Sequence, residues 1–187
     1  MMTFHRNASF VRHFSMFIVL LLLGLFSLTG CEQSNTALSR KKAQDGWQRF
    51  TQGNLAEAEP LFLDATKLDP NNANAYQGLG WAQLNLGKLS EAKKSFETCM
   101  TLDKQNVAAL NGLGRIAQLE GKPERAIEYW TEAVRINVQA TGPIAGLAAL
   151  YEGRDDYENA IKYYEMWLRV EPNNDDARAA LRRVKER

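Results

Sequence analysis

Residues 74–87 read NAYQGLGWAQLNLG, and this stretch decides how the rest of the chain is read. Tyr76, Leu79, Gly80 and Gln83 stand three, one and three residues apart, the spacing of one helical stripe. Gly87 closes that helix, because glycine adopts the left-handed turn that ends one. The following residues, KLSEAKKSFETCMTLD at 88–103, place Leu89, Ala92, Phe96 and Cys99 on a second stripe. Two helices joined by a short turn make a hairpin. Small residues on the facing stripes let the helices approach, and the aromatic ring fills the gap between them.

The hairpin recurs without losing step. Ala58, Ala92, Ala126 and Ala160 are each 34 residues apart. The same spacing relates Gly46, Gly80, Gly114 and Ala148, then Phe62, Phe96, Trp130 and Tyr164, then Leu68, Leu102, Ile136 and Val170. One hairpin cannot bury its apolar stripe alone, so neighbours must stack. Asn54 and Glu57 are spaced as a capping box for the second helix of the first unit. Pro123 falls at a helix start, where its missing N–H costs nothing.

A 34-residue period with these columns, and with LDPNN at 68–72 and VEPNN at 170–174 at the joins, resembles the tetratricopeptide repeat family. The resemblance implies an all-α solenoid of four helix-turn-helix repeats at 39–72, 73–106, 107–140 and 141–174. Residues 175–187, DDARAALRRVKER, carry a stripe of Ala177, Leu181 and Val184 and are expected to form a capping helix. Arg178, Arg182 and Arg183 are expected to face water. A basic helix lying on a membrane surface is the alternative for this segment.

Departures from the pattern carry expectations of their own. Asp45 occupies the column of Leu79, Leu113 and Leu147, and Pro60 interrupts a helical hydrogen bond, so the first repeat is expected to be the loosest. INVQATGP at 136–143 lacks the Asp-Pro-Asn turn, which predicts a different stacking of the fourth unit. Trp167 stands where Ala65, Cys99 and Ala133 stand, so the ring must open the last unit or turn toward the capping helix.

The amino terminus sets the expected address. His5, Arg6, Arg12 and His13 precede an apolar run from Phe14 to Phe26, and small residues lead to Cys31. This is the order of a secretory signal. Extended to Leu28, the run reaches fifteen residues, short of the ~20 that a spanning helix needs, so a retained membrane helix is the weaker reading. Leu28-Thr29-Gly30-Cys31 resembles the lipobox of bacterial lipoproteins. That resemblance implies a signal peptide at 1–30, lipidation of the Cys31 sulfur, fatty acylation of the new amino terminus, and a lipidated tether at 31–38. More than one acyl chain is what firm anchoring requires. An ordinary cleaved signal that leaves Cys31 as a stray thiol is the alternative. Glu32 in place of an aspartate favours the outer membrane, facing the periplasm.

Composition narrows the function. Of a formal net charge of +1, two units belong to Arg6 and Arg12, so the chain from Cys31 onward carries −1. A nearly neutral body argues against nucleic acid as a partner. His5 and His13 are the only histidines, so a chain beginning at Cys31 has none, which excludes histidine triads and histidine-ligated zinc. Cys99 is the only other cysteine and reads as a small buried thiol rather than a redox centre. The GLG triplets at 78–80 and 112–114 sit mid-helix with no preceding strand, so they read as helix contacts, not nucleotide loops. No catalytic residue, metal, cofactor or small-molecule substrate is indicated.

What remains is surface. In the family it resembles, the first helix of each pair lines a concave groove, and the partners are other proteins' extended peptides or helices laid along it. Helical geometry places Trp47, Asn74, Gln77, Trp81, Asn111 and Arg115 on that side. The two indoles suggest an apolar anchor, the amides suit a peptide backbone, and Arg115 suits a carboxylate. Each tryptophan has an alternative place under the neighbouring helix. The basic clamp of chaperone-binding relatives is not matched, since Ala43, Trp47, Gly78 and Gly112 occupy four of its sites. The expected function is a non-enzymatic, membrane-anchored adaptor in envelope assembly, of the pilus, secretin or cell-wall-enzyme class. A self-associating structural subunit is the runner-up.

Overall fold

The computed structural model describes residues 33–187, and among them there are nine helices and no strand. They are α1 (33–51), α2 (Leu55–Leu68), α3 (Ala73–Asn85), α4 (Leu89–Leu102), α5 (Val107–Leu119), α6 (Pro123–Ile136), α7 (Thr141–Glu152), α8 (Tyr157–Val170) and α9 (Asp175–Lys185). Each odd helix packs on the even one that follows, and each even helix packs on the next odd one. First helices of neighbouring hairpins also touch, α3 with α5 and α5 with α7. The first helices therefore line the inside of the stack. The all-α solenoid of helix-turn-helix repeats is the expected fold.

The period is visible in the helix ends. The residues that precede α3, α5 and α9 are Asn72, Asn106 and Asn174, and each side chain accepts from the N–H three residues on, at 3.1, 2.9 and 2.9 Å. Such a cap is worth about 1 kcal/mol. The corresponding residue before α7 is Ala140, which offers no side-chain acceptor. The residue three further on is Pro143, which has no N–H to offer. Missing acceptor and missing donor thus coincide, and the atypical join leaves nothing unsatisfied at that position.

Inside each hairpin the turn needs a left-handed residue. Gly53, Gly87 and Gly121 have φ of +79°, +77° and +69°, and 34 residues beyond Gly121 the same place is held by Asp155 at +57°. A side chain in that region costs energy. Asp155→Gly is expected to raise the unfolding free energy by about 0.5–1 kcal/mol, the relief of strain outweighing glycine's extra chain entropy. Urea unfolding followed by circular dichroism would show it. Asn54 departs from its expected role: it precedes α2 but makes no side-chain cap. Its own N–H reaches back to the Arg49 carbonyl at 3.0 Å, so the tight turn at Gly53 sets the entry to α2.

The core is a ladder of rings. Phe62, Phe96, Trp130 and Tyr164 are buried, each worth about 1.5–3 kcal/mol by area. Phe62 lies between Gly46 and Gly78, Phe96 between Gly80 and Gly112, and Trp130 between Gly114 and Gly146. A Cβ at any of these six glycines would overlap the ring. Every ring is therefore held by its own hairpin and by the next one. At the last joint Tyr164 is buried in one cluster with Ala148 and Ala180, the alanines of the same two columns.

Both ends of the ladder are polar. Where α3 buries Ala75, Gly78 and Ala82, α1 exposes Lys41, Gln44 and Gln48. Where α3 buries Gly80 and Gln83, α9 exposes Arg182 and Lys185. The capping role of α9 is as expected, with Ala177, Ala180 and Val184 buried. Arg183 is exposed as expected and also donates to both oxygens of Glu152 at 2.7 and 2.9 Å. The Tyr164 hydroxyl donates to the same carboxylate at 2.6 Å. Arg183 and Tyr164 hold Glu152 below the usual carboxylate range, and burial first, then Glu152, pushes Tyr164 up. Trp167 packs against the cluster containing Ala180 and Val184 and donates to Glu171 at 2.9 Å, so its ring is accommodated toward the cap.

The first hairpin is tied more firmly than its departures suggested. α2 runs unbroken through Pro60. Ser39, fully buried, donates to the Ala65 carbonyl at 2.7 Å and accepts from Asn72 at 2.9 Å. Residues 33–38, read from sequence as part of a tether, continue α1 as exposed helical turns. Among the described residues no helix is long and apolar enough to cross a membrane.

Candidate functional site

The first helices differ from the second in one elementary respect. Neither α3 nor α5 contains an acid, and Arg115 is their only Lys or Arg. The second helices carry most of the ion pairs, such as Arg125 with Glu128 and Arg135 with Glu132. Along α3 and α5 the inner face is thus nearly uncharged, although α1 carries Arg40, Lys41, Lys42, Asp45 and Arg49 and α7 ends in Glu152, while the outer face is a solvated lattice of opposite charges that contributes little to stability.

Two half-buried indoles stand on this inner face. Trp47 meets Phe50 and Phe62 edge-on, with ring centroids 5.4 and 5.1 Å away. Its Nε1 donates to Asn74 Oδ1 at 2.9 Å, which locks the ring across the joint between the first two hairpins. Trp81 meets Phe96 edge-on at 5.4 Å. The Arg115 guanidinium lies 5.8 Å from the Trp81 ring centroid, a cation–π contact at an exposed site. Asn85 donates to the Trp81 carbonyl at 2.8 Å. Both tryptophans are therefore part of the joints and part of the surface. Replacing them costs packing as well as contact area, which corrects the simpler view of them as free anchors.

Asn111 has a partner that the sequence did not announce. Trp130 Nε1, from the buried ladder, donates to Asn111 Oδ1 at 3.1 Å and to the Asn111 carbonyl at 3.3 Å. Gln77 is half-buried and has no hydrogen-bond partner among the described residues. Arg115 is exposed and has no carboxylate partner among them either. The structure thus brings Trp47 to Asn74 and Trp81 to Arg115, and leaves Gln77 and Arg115 available. Farther along, α7 presents Gly142, Ala145 and Ala149, so the face loses its large side chains in the fourth unit.

Other chemistry has little to stand on. Cys99 is fully buried, and burial, with Asp103 adding to it, pushes its thiol up to about 11, away from nucleophilic character. No cluster able to hold a metal occurs among the described residues. On the outer side a cleft of about 130 Å³ between α4, α5 and α6 is lined by Lys93, Glu97, Glu120, Lys122, Arg125 and Tyr129. Two of its charges pair with each other, Lys122 with Glu120 at 2.7 Å, and Arg125 turns to Glu128. Cys31 lies outside the described residues.

Comparison with known proteins agrees with this architecture. Sequence models of the tetratricopeptide repeat match residues 61–94, 79–140 and 144–176, together more than half of the chain. No curated protein matches the sequence. Among solved structures the chain is similar to PilF of Pseudomonas aeruginosa, with 18% identity, a TM-score of 0.73, and 81% of this chain covering 69% of that one. It is similar to MamA, with 21% identity, a TM-score of 0.66, and coverage of 80% and 81%. A third, YrrB, a repeat protein with an unusual peptide-binding site, has 20% identity, a TM-score of 0.61, and coverage of 78% and 75%. At such identities the likeness is one of fold. The 34-residue ladder, the glycine pockets and the repeat matches together place the chain in the tetratricopeptide repeat family of protein-interaction scaffolds.

Proposed function

We propose that this chain is a non-catalytic adaptor, lipid-anchored in the bacterial cell envelope, that holds a segment of another protein on the face formed by its first helices. The observation that carries the binding reading is the contrast between helices in the middle of the stack: α3 and α5 are nearly uncharged and present the half-buried Trp81, with Trp47 of α1 on the same side, whereas the second helices carry most of the ion pairs. An uncharged face with aromatic anchors loses little on desolvation, and burying it is what association rewards. The peptide-binding site of YrrB supports the same reading by analogy of fold.

The anchor rests on Cys31 and its setting after the apolar run. Tethering to a membrane raises the effective concentration of partners in the same layer. Outer-membrane attachment facing the periplasm is the address that fits Glu32. Cys31→Ser is expected to move the protein from the membrane fraction to the soluble fraction, with its repeats still folded. The mass of the native amino terminus is the decisive measurement. An acylated Cys31 supports the proposal, and an unmodified chain starting upstream of it overturns the anchor. Crosslinking in the native envelope followed by mass spectrometry identifies the partner.

A further inference from the structure

We infer that the edge of the stack that carries the joins between repeats is seated on the phospholipid surface, so that the solenoid stands in one orientation instead of swinging on a leash. This rests on acylation of Cys31. The first support is where the anchored end enters the fold. Cys31 stands two residues before Gln33, and α1 is already helical at Gln33. Two residues reach about 7 Å at most, whereas 31–38 as an extended tether would reach roughly 27 Å. α1 enters from the join edge. Ser39, six residues after Gln33, donates to the Ala65 carbonyl near the end of α2 and accepts from the Asn72 amide just before α3. Six helical residues rise only about 9 Å. An anchored Cys31 therefore holds the end of α2 and the start of α3 within reach of the headgroups.

The second support is what that edge exposes. Leu68, Leu102, Ile136 and Val170 recur at the ends of the second helices, and none of them is buried. Leu38 and Val138 stand exposed on the same edge. Val138 belongs to the atypical join, where a cleft of about 400 Å³ opens between it and Met166, Arg169 and Val170. Leu86 and Leu119 are exposed at the opposite edge without such a column, since Glu120 and Arg154 follow the one at the repeat period and Gly153 follows the other. The acids of the joins are engaged locally: Asp69 and Asp103 accept from N–H groups of their own turns, and Glu171 accepts from Trp167 and Asn174. Lys104 and Arg169 have no carboxylate partner among the described residues and suit lipid phosphates, while Asp176, at the far end, is likewise unpaired. The edge is therefore not a basic patch. The acyl anchor supplies the attachment, and the apolar line decides which side goes down.

The test uses the full chain, processed in its native envelope, purified in mild detergent and added to preformed vesicles of phosphatidylethanolamine and phosphatidylglycerol. Val138→Cys and Leu119→Cys each receive a thiol-reactive fluorophore. Both native side chains are exposed, so neither variant disturbs the core, and Cys99 is fully buried and escapes the label. The two sites lie on opposite edges, about 20 Å apart along the length of α5. The fluorophore at Val138 is expected to be quenched by a spin label on the lipid headgroup and to be about fivefold better shielded from aqueous acrylamide than the one at Leu119. Val138 lies at the third join, far from the anchored end, so shielding there requires the whole edge to lie down. If the chain carries acyl mass on Cys31 and floats with the vesicles, yet the two labels are equally open to acrylamide or Leu119 is the shielded one, the inference falls and the anchor stands. If the chain carries no acyl mass and does not float, the anchor falls, and the seating with it.

Discussion

Trp130→Ala is expected to lower the unfolding free energy by about 3–5 kcal/mol, a loss comparable with the whole stability of a small domain. The ring is 1% exposed and lies between Gly114 and Gly146, so its removal opens a cavity bounded by three helices. The walls at Gly114 and Gly146 are backbone and have no side chain to fill it. The substitution also strips Asn111 of the donor that fixes its amide. Trp130→Phe keeps most of the volume but loses the N–H and part of the ring, and is expected to cost about 1–2 kcal/mol. Urea unfolding by circular dichroism and by tryptophan fluorescence would rank the two. Equal effects would mean that the hydrogen bond, not the ring, holds the joint.

Gly112→Val should destabilise by about 3 kcal/mol, the upper end of ordinary overpacking. Mid-helix glycine is a poor helix former, and replacing it by a better one returns under 1 kcal/mol. The clash wins because a Cβ at this position overlaps the Phe96 ring, which is itself fully buried. Phe96 must then leave its pocket against Gly80 or push α5 away from α4. Gly153→Ala, just past the end of α7, serves as the control for an added methyl, since a Cβ there meets only the Ala149 and Leu150 carbonyls at 3.5 and 3.7 Å, ordinary contacts. Loss of stability at Gly112 with little change at Gly153 would confirm close approach rather than helix propensity as the reason for the glycine.

Much of the fold was legible because it repeats. A column of glycines against a column of rings has one physical meaning, and four copies remove the ambiguity of a single hairpin. The boundaries at 72, 106 and 174 coincide with asparagine caps for the same reason. What sequence missed is what does not repeat. Arg183 and Glu152 are 31 residues apart and pair once only. Asn54 looked like a cap, but the turn at Gly53 already sets the helix entry. The site was read in part. Helical geometry put Trp47, Asn74, Gln77, Trp81, Asn111 and Arg115 on one side, and the structure adds the pairings among them. The indole–amide bonds span 27 and 19 residues between differently placed columns, so no period could reveal them.

A ring shared by two hairpins also bears on how such a chain can lengthen. Suppose a copy of residues 73–106 is inserted after Asn106. The inserted Phe96 lies against the inserted Gly80 on one flank and against Gly112 on the other. The original Phe96 finds the inserted Gly78, a member of the Gly112 column. Duplication by one period therefore creates no unmatched seam, and growth needs no compensating substitution. Loss of one period is equally silent at the seam, so the matching of rings to glycines sets no particular number of units.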